Sequence, residues 1–178
     1  KIKNKYSTEE EILNADEIEA VLILTPHHNH SDLVIKALNK GKAVYVEKPL
    51  ALDMQSITDI EESIYRSENP KLFIGFNRRF SKSAQFIKQK LINNPANSIN
   101  LRFSVPPLDS DHWTNIKEIG GGRIVGEAVH GIDLACYLFD SLPQSISASA
   151  PVDKTNNMVK DNQVFLNINF ANGSHASL

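Results

Sequence analysis

The chain has 178 residues, with 19 Lys and Arg against 21 Asp and Glu and a formal charge of −2. That balance supplies no field to draw nucleic acid or an anionic membrane surface, and no basic stripe interrupts it. No apolar run approaches a membrane span, the lysine-rich start lacks a signal peptide's apolar segment, and the lone Cys136 excludes an internal disulfide framework and suits a reducing cytoplasm.

Ser7-Thr8-Glu9-Glu10 fits a capping box and opens a short helix ending near Asn14. "EAVLILTP" reads as a buried strand, apolar and branched, stopped by Thr25-Pro26. In "NHSDLVIKALNKG", Leu33, Val34, Ala37 and Leu38 form one helical face that Gly41 ends. "KAVYV" is the next buried strand. Asp53 then caps "MQSITDIEESIYR", where Ile57, Ile60 and Ile64 recur at helical spacing. "KLFIGFN" reads as a third strand and "SKSAQFIKQKLINN" as another amphipathic helix. Strands separated by helices in this order predict parallel βαβ units.

The texture changes after Pro95. "SINLRFSV" alternates like a half-buried strand, and a loop with Pro, Asp and Trp follows. The triplet Gly120-Gly121-Gly122 opens the helical stretch "RIVGEAVHGIDLACYLF", on which Cys136 reads as a small buried hydrophobe. "QSISASAPV", "NQVFLNINF" and "SHASL" read as antiparallel strands, with Asn172-Gly173 marking a hairpin turn. The expected boundary falls near residues 94–97, giving domains 1–95 and 96–178.

In an open parallel sheet, ligands bind outside the carboxyl ends of the strands. Three such ends here carry polar residues: Thr25-Pro26-His27, Glu47-Lys48-Pro49 and Asn77-Arg78-Arg79. Any one alone reads as a solvated loop, and their coincidence at one edge points to a site. Lys48 could hydrogen-bond a substrate oxygen and stabilise alkoxide charge, while Glu47 could hold that ammonium or a ribose hydroxyl. His130 has Glu127 and Asp133 three residues to either side on a helix, so either carboxylate could orient the imidazole as a general base. A satisfied buried histidine is the equal alternative. "HHNH" (His27, His28, His30) lacks zinc-protease spacing and nearby carboxylate or thiolate ligands, so no metal is expected. Its loop opens a helix whose first N–H groups favour phosphate. The glycine triplet lacks the strand and lysine of a phosphate loop. Trp113, the only tryptophan, either covers a ligand or packs in the core.

"TPHHNHSDLVIKALNKGKAVYVEKPLAL", "GFNRRFS" and "GGGRIVGEAVHGIDL" resemble the Gfo/Idh/MocA oxidoreductases, from about Glu9 to Leu138. The resemblance implies an α/β plus α+β fold. The carboxyl-terminal half of a Rossmann-type parallel sheet would be followed by an open antiparallel-sheet domain, itself incomplete, that forms a homo-oligomer interface. It implies hydride transfer between NAD or NADP and a hydroxyl of a sugar, cyclitol or sugar derivative, in the cytoplasm, with no nucleic-acid or membrane partner. By position, Thr25, Pro26, His27 and His30 would line the cofactor's ribose and diphosphate side, and Glu47 and Lys48 its nicotinamide. Lys48 would also touch the reacting oxygen, Asn77 and Arg78 would border the cleft with Trp113 over the ligand, and His130 would be the acid/base.

Two features depart from the family's pattern. No G-x-G-x-x-G fingerprint follows a first strand, so the first mononucleotide-binding half is expected to be missing and this chain alone to be inactive. Gly126 stands four residues before His130, where the family has aspartate, and Glu127 is the substitute one position on. A non-catalytic sugar-binding or dimerisation module of the same fold is therefore the alternative reading.

Overall fold

The computed structural model describes residues 4–106, 108, 109, 111–152 and 163–178. Pro107 and Ser110 of the expected Trp113 loop, and Asn162 at the start of "NQVFLNINF", lie outside the described residues. The chain forms two compact units, Lys1–Gly75 and Phe76–Leu178.

The first unit begins with helix α1 (Glu9–Asn14). Its cap is one residue later than the expected box: the Thr8 hydroxyl accepts from the Glu11 N–H at 3.2 Å, and the Glu11 carboxylate accepts from the Ser7 N–H at 2.8 Å. Strands β1 (Ala20–Ile23), β2 (Ala43–Val46) and β3 (Leu72–Ile74) then pair parallel in that order. Helices α2 (His30–Asn39) and α3 (Met54–Arg66) connect them. Asp53 caps α3, accepting from the Ser56 N–H at 2.8 Å. Ile23, Val44 and Val46 pack against Val34, Ala37, Leu38 and Ile60 to form the core. Each such side chain contributes about 1.5–3 kcal/mol on burial.

Side chains on the other face of this sheet are exposed among the described residues, which corrects the expectation of buried strands. Leu22, Tyr45 and Phe73 lie in register across it, and Leu22 and Leu24 are 68% and 64% exposed. Crossovers of one hand place α2 and α3 on the same face, against Ile23, Val44 and Val46, so the alternate side chains of each strand point away from both helices.

The second unit opens with a single tight turn, Asn77–Phe80, and α4 (Lys82–Asn93), capped by Ser81. The units thus divide at the end of β3, before α4 rather than after it, because α4 packs on α6 (Val129–Phe139). A short α5 (Lys117–Gly120) and one π-helical turn, Ile124–Ala128, precede α6. Strands β4 (Ser98–Asn100), β5 (Pro143–Ser149), β6 (Phe165–Phe170) and β7 (His175–Ser177) form a sheet ordered β4-β7-β6-β5. The hairpin at Asn172-Gly173 joins β6 to β7 as expected, and β5 is antiparallel to β6. The sheet is mixed rather than antiparallel, since β4 runs parallel to β7. Ala135 and Phe139 of α6 cover Ile168, Phe170 and Ala176, with the Phe139 and Phe170 rings edge-to-face at 5.1 Å.

Candidate functional site

In the first unit the carboxyl ends of β1 and β2 lie side by side, as parallel pairing requires. Thr25 and Pro26 are exposed there, and the turn His27–Asn29 leads into α2 with His27 buried. The turn runs straight into α2, with the Asn29 N–H donating to the Pro26 carbonyl at 3.1 Å and the His30 N–H to that of His27. His30, expected to line a cofactor, turns inward. Its ring is fully buried, with Nδ1 2.7 Å from the Pro49 carbonyl oxygen and Nε2 2.9 Å from that of Thr25. Both partners are acceptors, so the ring braces the end of β1 against the Lys48-Pro49 turn, whose peptide bond is cis.

Glu47 and Lys48 are half-buried at the end of β2. The Glu47 carboxylate is held on both oxygens: the Tyr45 hydroxyl donates to Oε1 at 3.0 Å and the Lys48 N–H to Oε2 at 3.3 Å. The Tyr45 ring stacks on Phe73 at 5.6 Å. Burial, then the bond to Glu47, raises the Tyr45 phenol above its ordinary range. Tyr45 carries no motif signal of its own, although strand alternation puts it on the same face as Glu47.

In the second unit, Asn77 is exposed and Arg78 half-buried. The Arg78 guanidinium lies 4.9 Å above the Phe103 ring. Phe103 in turn packs on Gly131, where a Cβ would fall 2.7 Å from that ring. Arg78, Phe103 and the residue next to His130 therefore form one layer. Arg79 reaches α6, forking onto Asp133 with Nε 2.9 Å from Oδ2 and an NH2 group on Oδ1. This pair holds the arginine charged, its pKa raised chiefly by the hydrogen bonds it donates to Asp133. Both oxygens of Asp133, one of the two carboxylates flanking His130, accept from Arg79. His130 is buried one turn before it, and Glu127 is half-buried in the π turn. π turns widen a helix locally and cluster at functional sites. Trp113 is half-buried in the turn Trp113–Asn115, stacked on His112 at 5.8 Å. Arg79 and Asp133 are 54 residues apart, a separation that no local pattern signals.

No group of three or more His, Cys, Asp or Glu side chains gathers to hold a metal among the described residues. His28 is exposed and His30 faces two carbonyls, so the "HHNH" run does not converge. No helix among the described residues is long and apolar enough to cross a membrane.

The donor set at the strand ends fits the nicotinamide end of a dinucleotide. A carboxylate fixed on both oxygens suits ribose hydroxyls, and the lysine that follows it in sequence brings the charge a developing oxyanion needs. The glycine turn that cradles the rest of such a cofactor is not in the sequence.

Residues 1–76 match a family model described as "Oxidoreductase family, NAD-binding Rossmann fold", and residues 93–178 match "GFO/IDH/MocA C-terminal domain". Inositol 2-dehydrogenase of Rhizobium meliloti (strain 1021) is 30% identical over 144 residues, 78% of this chain and 42% of the relative. Myo-inositol 2-dehydrogenase of Thermotoga maritima is 27% identical, covering 85% of this chain and 45% of that protein. The solved levoglucosan dehydrogenase in complex with NADH and levoglucosan superposes with a TM-score of 0.77 at 26% identity, over 97% of this chain and 50% of its own. The chain thus spans about half the length of the relatives it matches.

Proposed function

Since the chain belongs to the Gfo/Idh/MocA oxidoreductase family, we propose that the whole protein moves a hydride between NAD or NADP and a hydroxyl of a sugar, cyclitol or sugar derivative. The observation that carries this reading is the Glu47–Lys48 pair at the open carboxyl edge of the parallel sheet, its carboxylate fixed on both oxygens. When bound, the nicotinamide supplies the hydride acceptor or donor.

The chain's own residues do the remaining work. Thr25, Pro26 and His27 meet the cofactor's ribose and diphosphate side, and His30 braces them from beneath. Glu47 orients the nicotinamide end. The Lys48 ammonium donates a hydrogen bond to the substrate's reacting oxygen, favouring alkoxide character. The His130 imidazole takes the hydroxyl proton, with Glu127 as its supporting carboxylate, and Arg79–Asp133 clamps the helix that carries it. Asn77 and Arg78 border the substrate, and Trp113 covers it. The inositol and levoglucosan dehydrogenases among the relatives favour a polyhydroxylated ring as substrate. In this reading the protein works in the cytoplasm as an oligomer through the second unit's sheet.

The test is turnover of NAD+ and NADP+ by the intact protein with myo-inositol and a panel of ring polyols. Lys48→Ala and His130→Ala should each lower kcat by about 100-fold or more. Unchanged turnover in either variant would remove that residue from the chemistry. Gly126, four residues before His130, favours a second reading, a sugar-binding module without redox activity. It requires that the intact protein bind a ring polyol yet reduce neither cofactor.

A further inference from the structure

We propose that Tyr45 is a positioning residue, whose hydroxyl, in the space left by Gly75, sets the orientation of the Glu47 carboxylate at the edge of the sheet. Alternate residues of a strand share a face, so Tyr45 and Glu47 point the same way from β2. The Tyr45 hydroxyl donates to Glu47 Oε1 at 3.0 Å, while Oε2 takes the Lys48 N–H at 3.3 Å. One carboxylate is thus held from both sides by its own strand. The tyrosine ring is itself held, stacked on Phe73 of β3 with 16° between the planes.

Gly75 completes the arrangement. A Cβ there would fall 2.6 Å from the Tyr45 hydroxyl oxygen and 3.2 Å from the Glu47 carboxyl carbon. Any side chain at that position would displace the pair, so the glycine at the end of β3 is explained by close approach. Burial and the carboxylate both keep the phenol protonated, so it remains a donor across neutral pH. Neither residue's placement is needed for the core, which lies on the opposite, helix-covered face. What the bond changes is the direction of a charge next to Lys48. This role rests on the proposed function, in which Glu47 orients the nicotinamide end of the cofactor.

The experiment uses the intact protein with Tyr45→Phe, Glu47→Gln, the double variant and Gly75→Ala, with NADH as the probe. Tyr45→Phe keeps the ring and its stack. It should weaken NADH binding or lower kcat by about tenfold, the worth of one hydrogen bond to a charged group. Gly75→Ala should reproduce that loss, and Tyr45→Phe should add nothing once Glu47→Gln is present. A Tyr45→Phe effect within twofold of wild type, or losses that multiply in the double variant, would overturn the proposal. A second readout needs no cofactor: the alkaline titration of the Tyr45 phenol, taken as the difference from Tyr45→Phe. Glu47→Gln should move it to lower pH, because a negative acceptor is removed. An unmoved titration overturns the positioning role outright. A wild-type protein that binds no nicotinamide, with the titration shifted, would instead sink the oxidoreductase reading and leave the Tyr45–Glu47 coupling supported.

Discussion

Replacing His30 by leucine should destabilise the first unit by about 2 kcal/mol. The ring is fully buried and reaches the carbonyl oxygens of Thr25 and Pro49. Leucine nearly conserves the volume, so cavity formation is minor and the lost donors dominate. A buried carbonyl left without its partner costs about 1–3 kcal/mol. The Pro49 carbonyl is the buried partner, while Thr25 is exposed and its carbonyl can turn to water, so the cost is near the middle of that range, about 2 kcal/mol, a large part of the 5–15 kcal/mol typical of a domain. Amide hydrogen exchange in β1, β2 and α2 reads the unit's own opening free energy, separately from the second unit. His28→Leu, at an exposed position two residues away, is the control and should change stability by less than about 0.5 kcal/mol. A His30→Leu cost below about 1 kcal/mol would refute the brace, and so would equal effects of the two substitutions. Because the brace joins both strand ends of the candidate site, the same variant should also loosen the amides around Lys48.

Asp133→Asn should cost the second unit about 2 kcal/mol in urea unfolding. The aspartate is 7% exposed while its arginine partner is 35% exposed, so solvent screening reduces the penalty of an unpaired buried charge. A cost under about 0.5 kcal/mol would mean that the clamp on α6 is dispensable. Asp53 gives a prediction in pH. The Ser56 N–H, then its hydroxyl, holds this carboxyl below the usual range, so the group's contribution to stability is present above its unfolded pKa. That contribution is lost as pH falls through the lower, folded value. The stability gap between wild type and Asp53→Asn should therefore shrink on acidification below about pH 4. Thermal unfolding across pH 2–6, on the order of one point per half unit, measures it, and a gap that widens in acid would reverse the argument.

Much of the local structure was legible in the residues. Helix α3 runs from Met54 to Arg66 as its apolar spacing and Asp53 cap imply, and the Asn172-Gly173 hairpin forms where its turn residues stand. The polar ends of β1 and β2 were equally visible, because two charges after an apolar strand are conspicuous. Less legible was the side of each strand that would be covered. "AVLI" reads as buried throughout, yet Leu22 faces outward, since the helices that follow β1 and β2 share one face.

What the sequence by itself determined is therefore whatever acts within a few residues: helical periodicity, caps, turn chemistry and the alternation that aligns Tyr45 with Glu47. Only the tertiary structure decided that β4 runs parallel to β7 across most of the second unit. It also turned His30 onto two carbonyls and brought Arg79 onto Asp133. The physical reason is one of range. Propensities and caps are satisfied inside a turn or two, whereas a carboxylate's partner 54 residues away is chosen by which elements pack together and which polar groups that packing removes from water.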